Sequence, residues 1–103
     1  MGSSEDIGTA LPVVAILQTI PAHTDAVWQI VSETIPTFRR EEGCDQYQAL
    51  ADLDDPARIV IIEKWRNAEA LQEHFESAAF QSMAKKLEGL LSGPPQVMRL
   101  KDV

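Results

Sequence analysis

The 103-residue sequence has few of the side chains from which metal, disulfide and nucleotide sites are built. It contains one cysteine and two histidines, so a single chain can form neither an internal disulfide nor a structural zinc site of the usual Cys/His type. The five glycines lie apart and form neither GxGxxG nor GxxxxGK. We therefore expect no nucleotide cofactor and no metal, and the lone Cys44 favours a reducing, cytoplasmic location.

Positive charge and long apolar runs are also scarce. Nine basic residues stand against 16 acidic ones, and the resulting net charge of −7 predicts repulsion from nucleic acid and from anionic membrane surfaces. No apolar run approaches the roughly 18 residues that a membrane-spanning helix needs. The acidic start MGSSED is unlike a signal peptide, so we interpret residues 1–10 as a flexible leader before one domain at residues 11–103.

The sequence does contain four strand patterns. Residues 11–20 are apolar on both faces and Ile59–Ile62 are continuously apolar, which is typical of strands covered on both faces. Residues 44–51 form a more polar strand, and the Asp52–Pro56 turn pairs it with the third strand as an antiparallel hairpin. Residues 96–103 alternate enough to predict a last strand.

The first helical pattern lies between the first two strands. Thr24 is its predicted cap, and Gly43 its predicted C′ residue. Pro36 lies inside the pattern, so we expect a kink or a break near Thr34–Ile35.

A second helical region follows the third strand. Asn67 is predicted to cap a helix that starts at Ala68, and a further helical pattern covers residues 80–91. The order β-α-β-β-α-α-β predicts an α+β, ferredoxin-like fold with an antiparallel sheet and a second helix in two pieces.

The two apolar strands also predict an oligomer. Helices on one side of an antiparallel sheet leave its other face in water, and its strands then alternate between apolar and polar residues. Residues 11–20 and Ile59–Ile62 do not alternate, so a second surface must cover that face. In a chain this short, we predict a homodimer that packs through the sheets.

Three motifs make the chain resemble the antibiotic biosynthesis monooxygenase family, and in particular its quinol-monooxygenase-type members. They are the strand start Glu42–Tyr47, the strand end Ile62–Trp65 and the helical segment Leu71–His74. The resemblance covers about residues 12–100. It implies a dimeric α+β barrel with a pocket between helices and sheet.

The resemblance also implies a reaction, in which multi-ring phenols or quinols are oxygenated by dioxygen without metal or flavin. The haem-degrading members of the family need an asparagine on the first strand. Here Leu17 lies near that place and Asn67 is the only asparagine, so we do not expect haem degradation.

Three side chains are the candidates for chemistry. His74 titrates near neutral pH and could take a proton from a phenol or anthrone, although a buried helix histidine bonded to a neighbour is the structural alternative. Tyr47 could hydrogen-bond a substrate oxygen. Glu63 could orient His74 or anchor a strand end. We predict His74 as the base, supported by Tyr47 and Glu63.

Four further residues are predicted to bind substrate. They combine flat or flexible apolar surfaces suited to an aromatic ligand: Trp65, Phe75, Met83 and Leu17. For Trp65 and Met83, packing in the core or at an interface is the structural alternative.

Two other functions remain open at this point. The same pocket could bind a ligand in a stress response without redox chemistry, or it could isomerise a small polar metabolite. The second would need a basic cluster near His74, which the sequence does not place there.

Overall fold

The computed structural model describes residues 10–103, so the predicted leader lies almost wholly outside the described residues. Within this range the elements follow in the predicted order: β1 (Leu11–Gln18), α1 (Thr24–Arg39), β2 (Cys44–Asp52), β3 (Asp55–Trp65), α2 (Ala68–Glu76), α3 (Ala78–Leu87) and β4 (Gln96–Arg99). A 3-10 turn at Pro21–His23 leads into α1. The predicted α+β, ferredoxin-like fold is confirmed.

The four strands form one antiparallel sheet in the order β2-β3-β1-β4. The two strands predicted to be apolar on both faces, β1 and β3, are therefore its central strands. Along β3, Glu63 lies opposite Tyr47 of β2. Residues opposite each other on one face of a sheet have close Cβ atoms, so this register brings two polar side chains together.

The two faces of the sheet differ in burial. The face under the helices is closed, and its side chains are at most 4% exposed at Val13, Leu17, Ile59 and Ile61. The opposite face is only half-buried, although it is also apolar at Val14, Ile16, Val60 and Ile62. The alternation in burial along β1 and β3 follows from this one-sided helical layer.

Two side-chain caps set the ends of the short helices. Asn67 Oδ1 accepts a hydrogen bond from the Ala70 amide at 2.8 Å, which confirms the predicted cap of α2. Ser77 accepts from the Phe80 amide at 3.1 Å and donates to the His74 carbonyl at 2.8 Å. Ser77 thus ends α2 and begins α3, and the predicted division of the second helix is confirmed.

The first helix differs from its prediction in three details. The N-cap position is occupied by His23, and the Thr24 hydroxyl donates instead to the Pro21 carbonyl. The helix is assigned without a break through Thr34–Ile35 and Pro36, and the carbonyl of Ser32, which Pro36 leaves without its amide donor, belongs to an exposed residue that water can reach. Gly43 is not the C′ residue, since the helix ends at Arg39.

The C-terminal third also departs from the predicted pattern. Helix α3 ends at Leu87 rather than near residue 91, and Gly89 turns the chain with a φ of +81°. The chain then extends beside the end of β1, where the Ile20 amide donates to the Leu90 carbonyl at 2.9 Å. These backbone hydrogen bonds at the end of β1 replace the ones that a longer α3 would make. Apolar periodicity in the sequence does not reveal this competition. Strand β4 stops at Arg99.

Gly43 lies where a larger residue would not fit, so we predict that its substitution destabilises the fold. A Cβ atom placed there would overlap the Cβ of Ala70, because the chain before β2 passes against the first turn of α2. We expect Gly43→Ala to lower the free energy of unfolding by about 1–3 kcal/mol, measured by urea denaturation. Gly93→Ala is the control, since nothing lies within 4 Å of its Cβ; equal losses in both variants would contradict this explanation.

Candidate active site

A cavity of about 300 Å³ lies between the closed face of the sheet and helices α2 and α3. The turn after α3 forms its rim through Glu88, Gly89 and Gly93. Most of the lining is apolar and includes Leu17, Ile61, Phe75, Phe80, Met83 and Leu87. Its size is at the lower end of the range for small-molecule sites, and its lining suits a flat apolar ligand.

The sheet contributes two polar side chains to this lining, and they lie next to each other. Tyr47 and Glu63 face each other across β2 and β3, and both line the cavity. Each is nearly enclosed, with exposed fractions of 3% and 6%. A phenol and a carboxyl group therefore lie side by side on an otherwise apolar wall.

The Glu63 carboxyl group has one hydrogen bond among the described residues. Trp65, two residues along the same strand, donates from its indole Nε1 to Glu63 Oε1 at 2.7 Å. Burial is the main cause that raises the pKa of Glu63 to about 7; the hydrogen bond from Trp65 opposes the rise, and the charge of Glu41 adds to it. Glu63 can therefore both accept and return a proton near neutral pH.

The phenol of Tyr47 stays protonated and is able to donate a hydrogen bond. Its ring packs edge-on against Phe38, with 5.2 Å between ring centroids. Burial, with the adjacent Glu63 charge, raises the pKa of Tyr47 far above its ordinary value. The phenol therefore stays protonated beside Glu63 and can donate to an oxygen atom of a bound molecule.

His74 lies behind the cavity wall rather than in its lining. It is 1% exposed, and its ring is enclosed by Trp65 and Phe38, whose centroids lie 4.5 and 4.6 Å away. Its Nδ1 lies 3.1 Å from Glu41 Oε1. Burial lowers the pKa of His74 to about 4, so at neutral pH the uncharged ring donates from Nδ1 to the Glu41 carboxylate.

The structure thus separates the predicted site residues into two groups. Five of them line the cavity together: Tyr47, Glu63, Phe75, Met83 and Leu17. His74 and Trp65 lie in the second layer, where the two rings stack at an interplanar angle of 32°. Trp65 is fully buried and reaches the cavity only through its hydrogen bond to Glu63.

Two acidic residues at the site were not predicted. Glu41 follows the end of α1 by two residues, and its carboxylate is hydrogen-bonded to His74, 33 positions away. Glu88 lies at the cavity rim. Local sequence gives no signal for either, because each role depends on a contact between distant segments.

The described range holds neither a metal-ligating cluster nor a helix that could span a membrane. Within residues 10–103, no three His, Cys, Asp or Glu side chains are grouped as a metal site would require. None of the helices in this range has the length and apolar character needed to cross a bilayer.

The raised pKa of Glu63 predicts a specific dependence of stability on pH. Between about pH 4.5 and pH 7 the folded chain holds a proton on Glu63 that the unfolded chain has released, so the free energy of unfolding falls as pH rises. Glutamine does not ionise, so the Glu63→Gln variant does not lose this part of its free energy of unfolding as pH rises. We expect the variant to gain about 3 kcal/mol relative to wild type between pH 4.5 and pH 8, measured by urea denaturation.

The comparison between variant and wild type also cancels an opposing effect. The lowered pKa of His74 makes the folded state more stable as pH rises from about 4 to 6.5, and both proteins contain that histidine. If the difference in free energy of unfolding between Glu63→Gln and wild type stays constant from pH 4.5 to pH 8, the assigned environment of Glu63 is contradicted.

Comparison with known proteins identifies relatives of the whole domain. The sequence profile described as "Antibiotic biosynthesis monooxygenase" matches residues 11–86. YcnE of Bacillus subtilis is 38% identical over 61 residues, which are 59% of this chain and just under two thirds, 64%, of YcnE. The Escherichia coli protein named "Probable quinol monooxygenase YgiN" is 28% identical over 89 residues, covering 77% of this chain and 86% of YgiN.

Solved structures show the same architecture. PA3566 from Pseudomonas aeruginosa superposes with a TM-score of 0.87 at 27% identity, over 92% of this chain and 95% of its own. Rv0793 from Mycobacterium tuberculosis gives a TM-score of 0.87 at 25% identity, over 92% and 96%. A conserved protein from Methanosarcina mazei, at 22% identity and a TM-score of 0.88 over 97% and 99%, shares the fold.

Proposed function

Because this chain belongs to the antibiotic biosynthesis monooxygenase family, we propose that it oxygenates a quinol-like or polycyclic phenolic molecule with dioxygen and without a bound cofactor. The observation that carries the proposal is the Tyr47–Glu63 pair on the wall of an apolar cavity. The name of YgiN supports the choice of substrate class.

The first step is removal of a proton from the substrate. Glu63 takes this proton, and Tyr47 donates a hydrogen bond to the oxygen of the resulting anion. Glu63 rather than His74 is the base in this proposal, because Glu63 lines the cavity and has a pKa of about 7. His74 supports the site from behind, through its stacking on Trp65.

The oxygen step then needs only the substrate anion and dioxygen. For an anthrone, the anion gives one electron to dioxygen, and the radical and superoxide combine into a peroxide that takes the proton back from Glu63. Loss of the second C–H proton to Glu63 breaks the O–O bond, leaving a ketone and a hydroxide that Glu63 protonates. One CH₂ group and one O₂ thus become one C=O group and one water.

The apolar lining supports this chemistry in two ways. It binds flat rings by the hydrophobic effect. It also excludes water, which would otherwise protonate the carbanion or the peroxide in place of Glu63. The same lining argues against a small polar metabolite as substrate, since the enclosed polar groups of the cavity are Tyr47 and Glu63 alone among the described residues.

Turnover with and without air tests the proposal. Purified protein is mixed with anthrone or menadiol while oxygen uptake and product are followed. We expect enzyme-dependent oxygen uptake that is saturable in substrate and no product under nitrogen. Ligand-induced stabilisation with no product would instead indicate a binding protein without redox chemistry.

We also propose that the chain works as a homodimer that packs through the open face of the sheet. That face is apolar at Val14, Ile16, Val60 and Ile62 yet only half-buried in one chain, and a second copy would cover it. Sedimentation at micromolar concentration should give twice the mass of one chain.

A charged substitution on the open face tests the surface itself. We expect Ile62→Lys to sediment as a monomer, because a buried unpaired ammonium in the interface is costly. Leu53→Lys, at a turn residue that is 99% exposed, should remain dimeric. Wild-type protein with the mass of one chain would contradict the proposed dimer.

A further inference from the structure

The polar part of the cavity lining carries only neutral or acidic groups. Glu63 lies on the wall, Tyr47 beside it, and the exposed Glu88 at the rim. Among the described residues, neither lysine nor arginine contributes to the lining. A bound molecule therefore meets hydrogen-bond donors and negative charge, but no side-chain cation.

The neighbouring cations are directed to other partners. Arg39, on α1, donates to the backbone carbonyl of Tyr47 at 2.9 Å and lines a separate surface hollow. Arg58 contacts Asp52, Asp55 and Gln18. Lys85 and Lys86 are exposed on α3, outside the lining. None of these four side chains belongs to the cavity lining.

We propose that Glu63 and Glu88 make the cavity selective for uncharged aromatic molecules and exclude those that carry a carboxylate, sulfate or phosphate. This inference rests on the proposed function and narrows its substrate class. An anion in this space would lose its hydration without gaining a counter-ion, and it would be repelled by a nearby carboxylate in a medium of low dielectric constant.

The two acids contribute unequally to the selection. Glu63 is enclosed, so its repulsion of a nearby anion is weakly screened by salt and water. Glu88 is exposed at the rim, where solvent screens most of its effect. Glu63 is thus the main determinant, and Glu88 acts mainly on the approach of a charged ligand.

Binding of an isosteric pair of ligands under nitrogen tests this selection without turnover. The pair is 3-hydroxy-2-naphthamide and 3-hydroxy-2-naphthoate, which share ring system and size but differ by one negative charge. Calorimetric titration at pH 8 measures both dissociation constants. For wild type we expect the naphthoate to bind about 100-fold more weakly than the amide, from the lost hydration of its carboxylate together with repulsion by the two glutamates.

Three glutamine variants separate local from overall charge. Glu63→Gln should reduce the difference between the two dissociation constants by about tenfold, because at pH 8 a carboxyl group with a pKa of about 7 takes up a proton at that cost when an anion binds beside it. Glu88→Gln should reduce the difference about two- to threefold, and high salt should remove that effect. Glu33→Gln changes the net charge equally at an exposed position of α1 outside the lining. We expect it to leave the ratio of dissociation constants unchanged.

The outcomes distinguish this inference from the function on which it rests. Equal affinity for both ligands, or a ratio that Glu63→Gln does not change, overturns the charge selection while leaving oxygenation of uncharged phenols in place. If neither ligand binds, the aromatic substrate class is wrong and both proposals are overturned.

Discussion

Glu63→Gln lowers kcat/KM for an anthrone-type substrate by about 10²–10⁴-fold, the range usual for loss of a general base. Glutamine matches the size of the side chain, and its amide oxygen can still accept the hydrogen bond from Trp65 that holds Oε1 at 2.7 Å. What it loses is the capacity to take and return a proton. Initial rates of oxygen uptake at saturating and limiting substrate measure the effect.

The pH profile separates a base from a merely structural residue. The wild-type value of kcat/KM should rise with pH and level off above about 7, as Glu63 becomes ionised. Two buried neighbours do not titrate in that range: Tyr47 stays protonated and His74 stays neutral. Glu63→Gln should abolish the dependence. A Glu63→Gln profile that still rises through pH 7 would contradict the assignment.

His74→Ala produces the second large effect, on stability rather than on chemistry. The imidazole is 1% exposed and packs between Phe38 and Trp65, so its removal leaves a cavity in the core and an unpaired Glu41 carboxylate. We expect the free energy of unfolding to fall by about 3–4 kcal/mol, measured by urea denaturation at pH 7.

His74→Phe is the matched variant that separates packing from proton transfer. Phenylalanine fills most of the space and can keep the ring contacts, so the loss should be below about 1.5 kcal/mol, since Glu41 is 22% exposed and can hydrate. Turnover should stay within about tenfold of wild type if Glu63 is the base. A loss as large as that of Glu63→Gln, in a folded His74→Phe protein, would return the role of base to His74.

Local chemistry was enough to predict most of the fold. The apolar runs in β1 and β3, the cap at Asn67 and the turn between β2 and β3 are features that neighbouring residues determine. The errors lie where tertiary contacts compete with local preference. Gly43 is required by the close approach of Ala70 rather than by a helix end, and residues after Leu87 pair with the end of β1.

The candidate site was only partly predictable for the same reason. The sequence shows that Tyr47, Glu63 and His74 are present, but not which of them reaches a cavity. Strand register decides that Tyr47 and Glu63 meet, and the aromatic enclosure of His74 brings together rings from α1, β3 and α2. The pKa of Glu63 depends on burial and on Glu41, neither of which a local motif encodes.

The source of the product oxygen tests the central claim most directly. Anthrone is turned over by the wild-type protein under ¹⁸O₂ in unlabelled water, and the product is analysed by mass spectrometry. We expect one ¹⁸O atom in the new carbonyl group, formed at a rate that falls by about 10²–10⁴-fold in Glu63→Gln. An unlabelled product, or labelling at the same rate in both proteins, would contradict it.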